Sequence, residues 1–159
     1  MEIVQRAHES IDTAHLRTLD RDTPAIRTDA VYAVFTTTED TFAALRTARA
    51  LASAMAASLT LIHVRTVPYP LSVDTPNGVS AVETDAFLQR LRAQGYDVRV
   101  RVVLCRSERE AIPLAFRRHS LIVIAGRRRW WPTASERWRR QLETAGHFVV
   151  FVDRERADA

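Results

Sequence analysis

The sequence predicts an α/β protein built on a five-stranded parallel sheet with helices on both faces. Three observations predict it. Five apolar runs of strand length alternate with four stretches of helical periodicity. Ser/Thr-x-x-Glu tetrapeptides stand at Thr36, Ser80, Ser107 and Thr133, where the four helices should begin. The fourth run, Leu121-Ile122-Val123-Ile124-Ala125-Gly126, is apolar throughout, as in a strand covered on both faces. Strands that alternate with helices imply a parallel sheet with right-handed crossovers.

Residues 1–29 precede this pattern. Ile3, Val4, Ala7, Ile11 and Ala14 fall at helical spacing, which predicts a short amphipathic helix followed by a polar linker from Leu19 to Thr28. His8 and His15 share a stripe with no Asp, Glu or Cys to complete a metal set, so both read as solvated or partner-facing. The α/β domain spans 30–152. Ala30 to Phe35 is the first strand, and Phe42, Leu45, Ala48, Ala52 and Met55 mark the inner face of the first helix. Leu59 to Val64 is the second strand. The loop from Arg65 to Gly78 holds Pro68, Pro70 and Pro76 and is too proline-rich to be regular. Val82, Leu88 and Leu91 face inward from the second helix, which Gly95 closes.

Tyr96 to Cys105 is the third strand, with Arg99 and Arg101 alternating with Val98, Val100 and Val102. The third helix runs from Ser107 through Ala111, Ile112, Leu114, Ala115 and Phe116, with Pro113 late enough to strain it. After the fourth strand, Trp138 and Leu142 lie on the inner face of the fourth helix. His147 to Val152 is the fifth strand, and 153–159 form a charged tail.

At 159 residues the chain is about one domain, and its 47% hydrophobic content is that of an ordinary globular protein. No apolar run approaches the roughly 18 residues of a membrane span. The first residues lack the basic and apolar regions of a signal peptide, so a cytoplasmic location is expected. The single cysteine, Cys105, excludes an internal disulfide and reads as a core thiol. Charge is unevenly spread. Residues 1–85 hold 7 arginines and 11 acids, net −4, whereas residues 86–159 hold 16 arginines and 8 acids, net +8. There is no lysine, a bias that a GC-rich genome explains. Residues 127–140 hold six arginines and one glutamate, but solvated helix faces account for most such runs, and nucleic acid is not the expected partner.

The order and several motifs resemble the universal stress protein family across about residues 30–152. The matching pieces are Ala33-Val34-Phe35 with Thr36-Thr37-Thr38-Glu39, the Ala43 to Ala52 helix, Leu61-Ile62-His63-Val64, Ala111-Ile112 to Ala115, and Leu121 to Gly126. The resemblance implies strand order 3-2-1-4-5. The loops after Phe35 and Ala125 would then face each other at the point where the order reverses. It also implies bacterial stress-response function and a homodimer joined through Phe148, Val149, Val150, Phe151 and Val152. ATP-binding members carry Gly-x-x-Gly, nine residues and Gly-Ser/Thr after the fourth strand. Here Gly126 supplies the first glycine, Arg129 takes the second position, the later pair falls near Arg139-Arg140, and Thr36 replaces the family's acidic residue. The resemblance therefore implies a divergent member without the consensus ATP motif.

Function is expected to rest on homodimerisation and protein association, without catalysis, cofactor or metal. His63, His119 and His147 have no partner spaced to make a catalytic base. Ser53, Ser58 and Ser120 lack a nucleophile elbow, and the Glu39-Asp40 pair is explained by helix capping and dipole. A protein partner would dock on the N-terminal helix or on Trp130 and Trp131; the competing reading of that pair is that one of the two tryptophans is core. The alternative is a nucleotide or small-anion sensor. In it Arg127, Arg128 and Arg129 replace glycine amides with guanidinium forks, Gly126 lies beneath them, and Thr36, Thr37 and Thr38 add hydroxyls from across the crevice. ATP or another nucleotide is the ligand in that alternative. The competing view is that Arg and Trp side chains fill the crevice.

Overall fold

The computed structural model describes residues 29–70, 78–127 and 133–154, with backbone alone over 78–84. The elements run β1 (Ala30–Val34), α1 (Thr38–Ala54), β2 (Ser58–Thr66), α2 (Gly78–Ala93), β3 (Arg99–Cys105), α3 (Glu108–Ala115), β4 (Leu121–Gly126), α4 (Ala134–Thr144) and β5 (Phe148–Asp153). The sheet is parallel in order β3-β2-β1-β4-β5, as expected. The N-terminal helix, Pro76, Arg128, Arg129, Trp130 and Trp131 lie outside the described residues.

Two apolar clusters cover the sheet. On one face Leu45, Ala48 and Ala52 of α1 and Phe87, Leu88 and Leu91 of α2 pack on Val31, Leu61 and Val123. On the other, Ala111, Ile112 and Ala115 of α3 and Trp138 and Leu142 of α4 pack on Val34, Ile62, Ile122 and Ile124. β4 is buried along its whole length because both clusters lie against it. Cys105 sits in the second cluster, 3% exposed, and burial pushes its thiol pKa up.

Several boundaries differ from the sequence pattern. Thr37, not Thr36, caps α1: its Oγ1 accepts from the Asp40 N–H at 3.2 Å. Ser107 and Thr133 cap α3 and α4 as expected, accepting from Glu110 and Glu136. Ser80 does not mark the start of α2, which begins two residues earlier at Gly78. β2 takes in Arg65 and Thr66, whose backbones pair with Leu104 and Cys105, so the proline-rich loop starts later than its composition indicates. β3 starts at Arg99, since Tyr96 closes α2 by donating to the Leu91 carbonyl at 2.9 Å while Gly95 takes a left-handed φ of 69°. Leu114 is 56% exposed: α3 faces the core along Ala111, Ile112 and Ala115, and Leu114 falls off that stripe.

Candidate functional site

A crevice of about 480 Å³ opens at the carboxyl ends of β1, β2 and β4, where the strand order reverses. Ligands of open α/β sheets bind at such a place. Phe35, Thr36 and Thr37 enter it from the β1–α1 loop, His63, Val64 and Thr66 from β2, and Arg127 from the end of β4. Asp40, Glu108 and the Thr133 to Ser135 segment bring the first turns of α1, α3 and α4 to its rim. Of the expected threonines Thr36 and Thr37 line it; Thr38 begins α1 and is not among the lining residues.

Thr36 bridges the switch point. Its Oγ1 donates to the Ala125 carbonyl at 3.4 Å, tying the β1–α1 loop to the end of β4. Thr37 also donates to Asp40 Oδ2 at 2.9 Å, so cap and carboxylate satisfy each other. Gly126 has a packing reason to be glycine. A Cβ there would stand 2.7 Å from both Ser135 Cβ and Oγ, well inside contact distance, so the missing side chain lets α4 seat against β4. A close approach of a ligand to the backbone is not needed to explain this glycine. Arg127 is exposed at the mouth, and its charge adds to that of Arg154 in holding the Glu39 carboxyl below its usual range.

His63 lies against Phe35, ring centroids 4.2 Å apart, and Phe35 meets Phe87 edge-on at 4.8 Å. Burial, then the charge of Arg65, holds the His63 pKa down to about 4, so its ring is neutral at neutral pH. His63 Nδ1 and Asp40 Oδ1 are buried without a hydrogen-bond partner. Asp40 Oδ1 does have an ionic neighbour, the Arg154 Nε at 3.3 Å, and the same guanidinium bonds Glu39 through Nη1. Arg154 thereby holds the Glu39 carboxyl below its usual range. This clasp joins the end of β5 to the start of α1, beside the crevice.

Sequence reasoning missed this clasp and the lining role of His63, Glu108 and Ser135. Arg154 follows the last strand in a charged stretch with no pattern, and His63 lies within an apolar strand run. Capping boxes were the one signal that placed Ser107, Glu108, Thr133 and Ser135 near a helix start.

The five residues Phe148 to Val152 form the outer edge strand together with Asp153. Phe148 is 39% exposed and Val149 to Val152 are half-buried. Among the described residues, no group of three or more His, Cys, Asp or Glu stands ready to hold a metal, and no helix is long and apolar enough to cross a membrane.

A solved structure similar to this chain is a universal stress protein family member from Burkholderia pseudomallei. It is 23% identical with a TM-score of 0.47, over 81% of this chain and 98% of that one. No protein-family model matches the chain, and no curated protein does.

Proposed function

We propose that this chain is a non-catalytic, universal-stress-protein-like domain of stress-response type, cytoplasmic, that works by pairing with a second copy of itself through β5. The observation that carries the proposal is the outer edge of β5, which no strand pairs among the described residues. Its ladder with β4 uses one side only, and Phe148 donates to the Ser120 carbonyl at 3.0 Å. Alternate residues bond in a parallel ladder, so Val149 and Phe151 turn their N–H and C=O groups outward. Exposed apolar edges of this kind are templates for pairing. Sedimentation at micromolar concentration is expected to give twice the chain's 18.0 kDa mass. Val149→Pro removes an outward donor while leaving the β4 ladder intact, and it should weaken the dimer at least about tenfold. A wild-type monomer at these concentrations removes the proposal.

A second reading is favoured by the open crevice, whose size falls in the range of small-molecule sites. Arg127 with Thr36 and Thr37 supports a small anion or nucleotide sensor that binds without catalysis. Asp40 and Glu108 on the same rim oppose a polyphosphate, which favours a ligand of low charge. In thermal-shift measurements at low salt, AMP should raise the melting point more than ATP, and Arg127→Ala should abolish the rise. No shift with AMP, ATP or a cyclic dinucleotide removes this reading and leaves the first in place.

A further inference from the structure

At the opposite end of the sheet from the crevice, two loops are joined by imidazoles. The α3–β4 loop carries His119 and Ser120, and the α4–β5 turn carries Gly146 and His147. His119 Nδ1 lies 3.1 Å from the Gly146 carbonyl oxygen, which can only accept, so His119 holds its proton on Nδ1. The Ser120 N–H donates to His147 Nδ1 at 3.3 Å, which assigns the unprotonated nitrogen to that position. Ser120 also accepts the Phe148 N–H at 3.0 Å, the first rung between β4 and β5. Ser120 is only 3% exposed and its hydroxyl donates to the Arg117 carbonyl, so its N–H has little water to turn to. His119 holds a left-handed φ of 55°, a conformation this cross-loop bond secures.

We propose that His119 and His147 form an acid-released latch on the start of β5: a proton on His147 Nδ1 sets two donors face to face, strands the Ser120 N–H and frees Phe148. Phe148 is the most exposed apolar residue of the edge through which the chain pairs, so the latch regulates that edge and rests on the association reading for its purpose. Burial, and after it the neighbouring His119, keep the His147 pKa below the ordinary 6.5. A histidine with a depressed folded pKa contributes stability in full above the unfolded value and loses it as pH falls through the folded one. The latch is therefore closed above about pH 6.5 and opens in the acid range beneath it. The ionisable group bearing on His147 from the opposing loop is His119. Arg117 and Arg118 precede it at exposed positions, Phe116 offers its ring at 5.6 Å, and on the α4 side Glu143 is occupied by its ion pair with Arg139 at 3.0 Å.

Amide hydrogen exchange read by NMR on the full chain tests the latch, with protection factors taken relative to the Ala33 amide of β1. Between pH 7.5 and 5 the Ser120 and Phe148 amides should lose at least tenfold in relative protection, with a midpoint that coincides with the His147 ring titration. In His147→Asn the side-chain oxygen stands in for Nδ1 and does not titrate, so protection should stay constant across the same range. Unchanged protection in the wild type, a midpoint apart from that of His147, or a loss that persists in His147→Asn each overturns the latch. Sedimentation of the same samples separates the two ideas. A monomer at every pH removes the association reading, while the exchange result still decides the latch.

Discussion

Strands β3 and β5 occupy the two edges of one sheet, and among the described residues each pairs with a neighbouring strand on one side alone. They treat that exposure differently. On β3, Arg99 and Arg101 alternate with buried Val100 and Val102, and Arg101 reaches across to the Ala115 carbonyl at 3.4 Å. A second strand approaching there would have to desolvate guanidinium groups, a common way of blunting an edge. On β5, five apolar residues run without a charge until Asp153, and its two ends are tied inward instead: His147 and Ser120 at the start, Arg154 with Glu39 and Asp40 at the finish. One edge is defended by charge; the other is left apolar and pinned. The contrast teaches that the outer edge of β5 is positioned by its flanks, so disturbing those flanks should matter more than disturbing β3.

The largest expected effect comes from the seat of α4 beside β5. Gly126→Val places atoms where Ser135 already stands, and overpacking of this sort costs about 1–3 kcal/mol, read as a fall of several degrees in Tm. Ser135→Gly in the same chain removes both clashing atoms and should recover much of the loss. If the double variant recovers nothing, Gly126 is glycine for another reason. Next comes Arg154→Ala, which leaves the nearly buried Asp40 carboxylate without its cation and should cost on the order of 1–2 kcal/mol in urea unfolding. Its partner Glu39 is exposed, so Glu39→Gln should cost far less than Arg154→Ala. The smallest effect belongs to the other edge. Arg99→Ala, exposed on β3, should change stability by less than about 0.5 kcal/mol. A cost equal to that of Arg154→Ala would erase the distinction between the edges.

Legibility followed the range of the forces involved. Thr37, Ser107 and Thr133 cap over three residues of sequence, and three of four helices start one or two residues after a visible motif. Ser80 misled because the same tetrapeptide also occurs inside a helix. The crevice was half visible: resemblance put the loops of Thr36 and Arg127 opposite one another, and both line it. Gly126 was legible as special and illegible in purpose, since its close neighbour Ser135 is decided by how α4 docks. Arg154 and Glu39 are 115 residues apart, and nothing local announces their meeting.

The sequence by itself determined the elements and their burial. A run such as Leu121 to Ala125 has no stable place except between two apolar layers, and period and capping act within a few residues. Only the tertiary structure decided which edge carries charge, which glycine makes room for a helix, and which histidine accepts a hydrogen bond and must stay neutral. Those properties depend on side chains brought together from distant positions. Burial then sets both the space and the proton affinity they share.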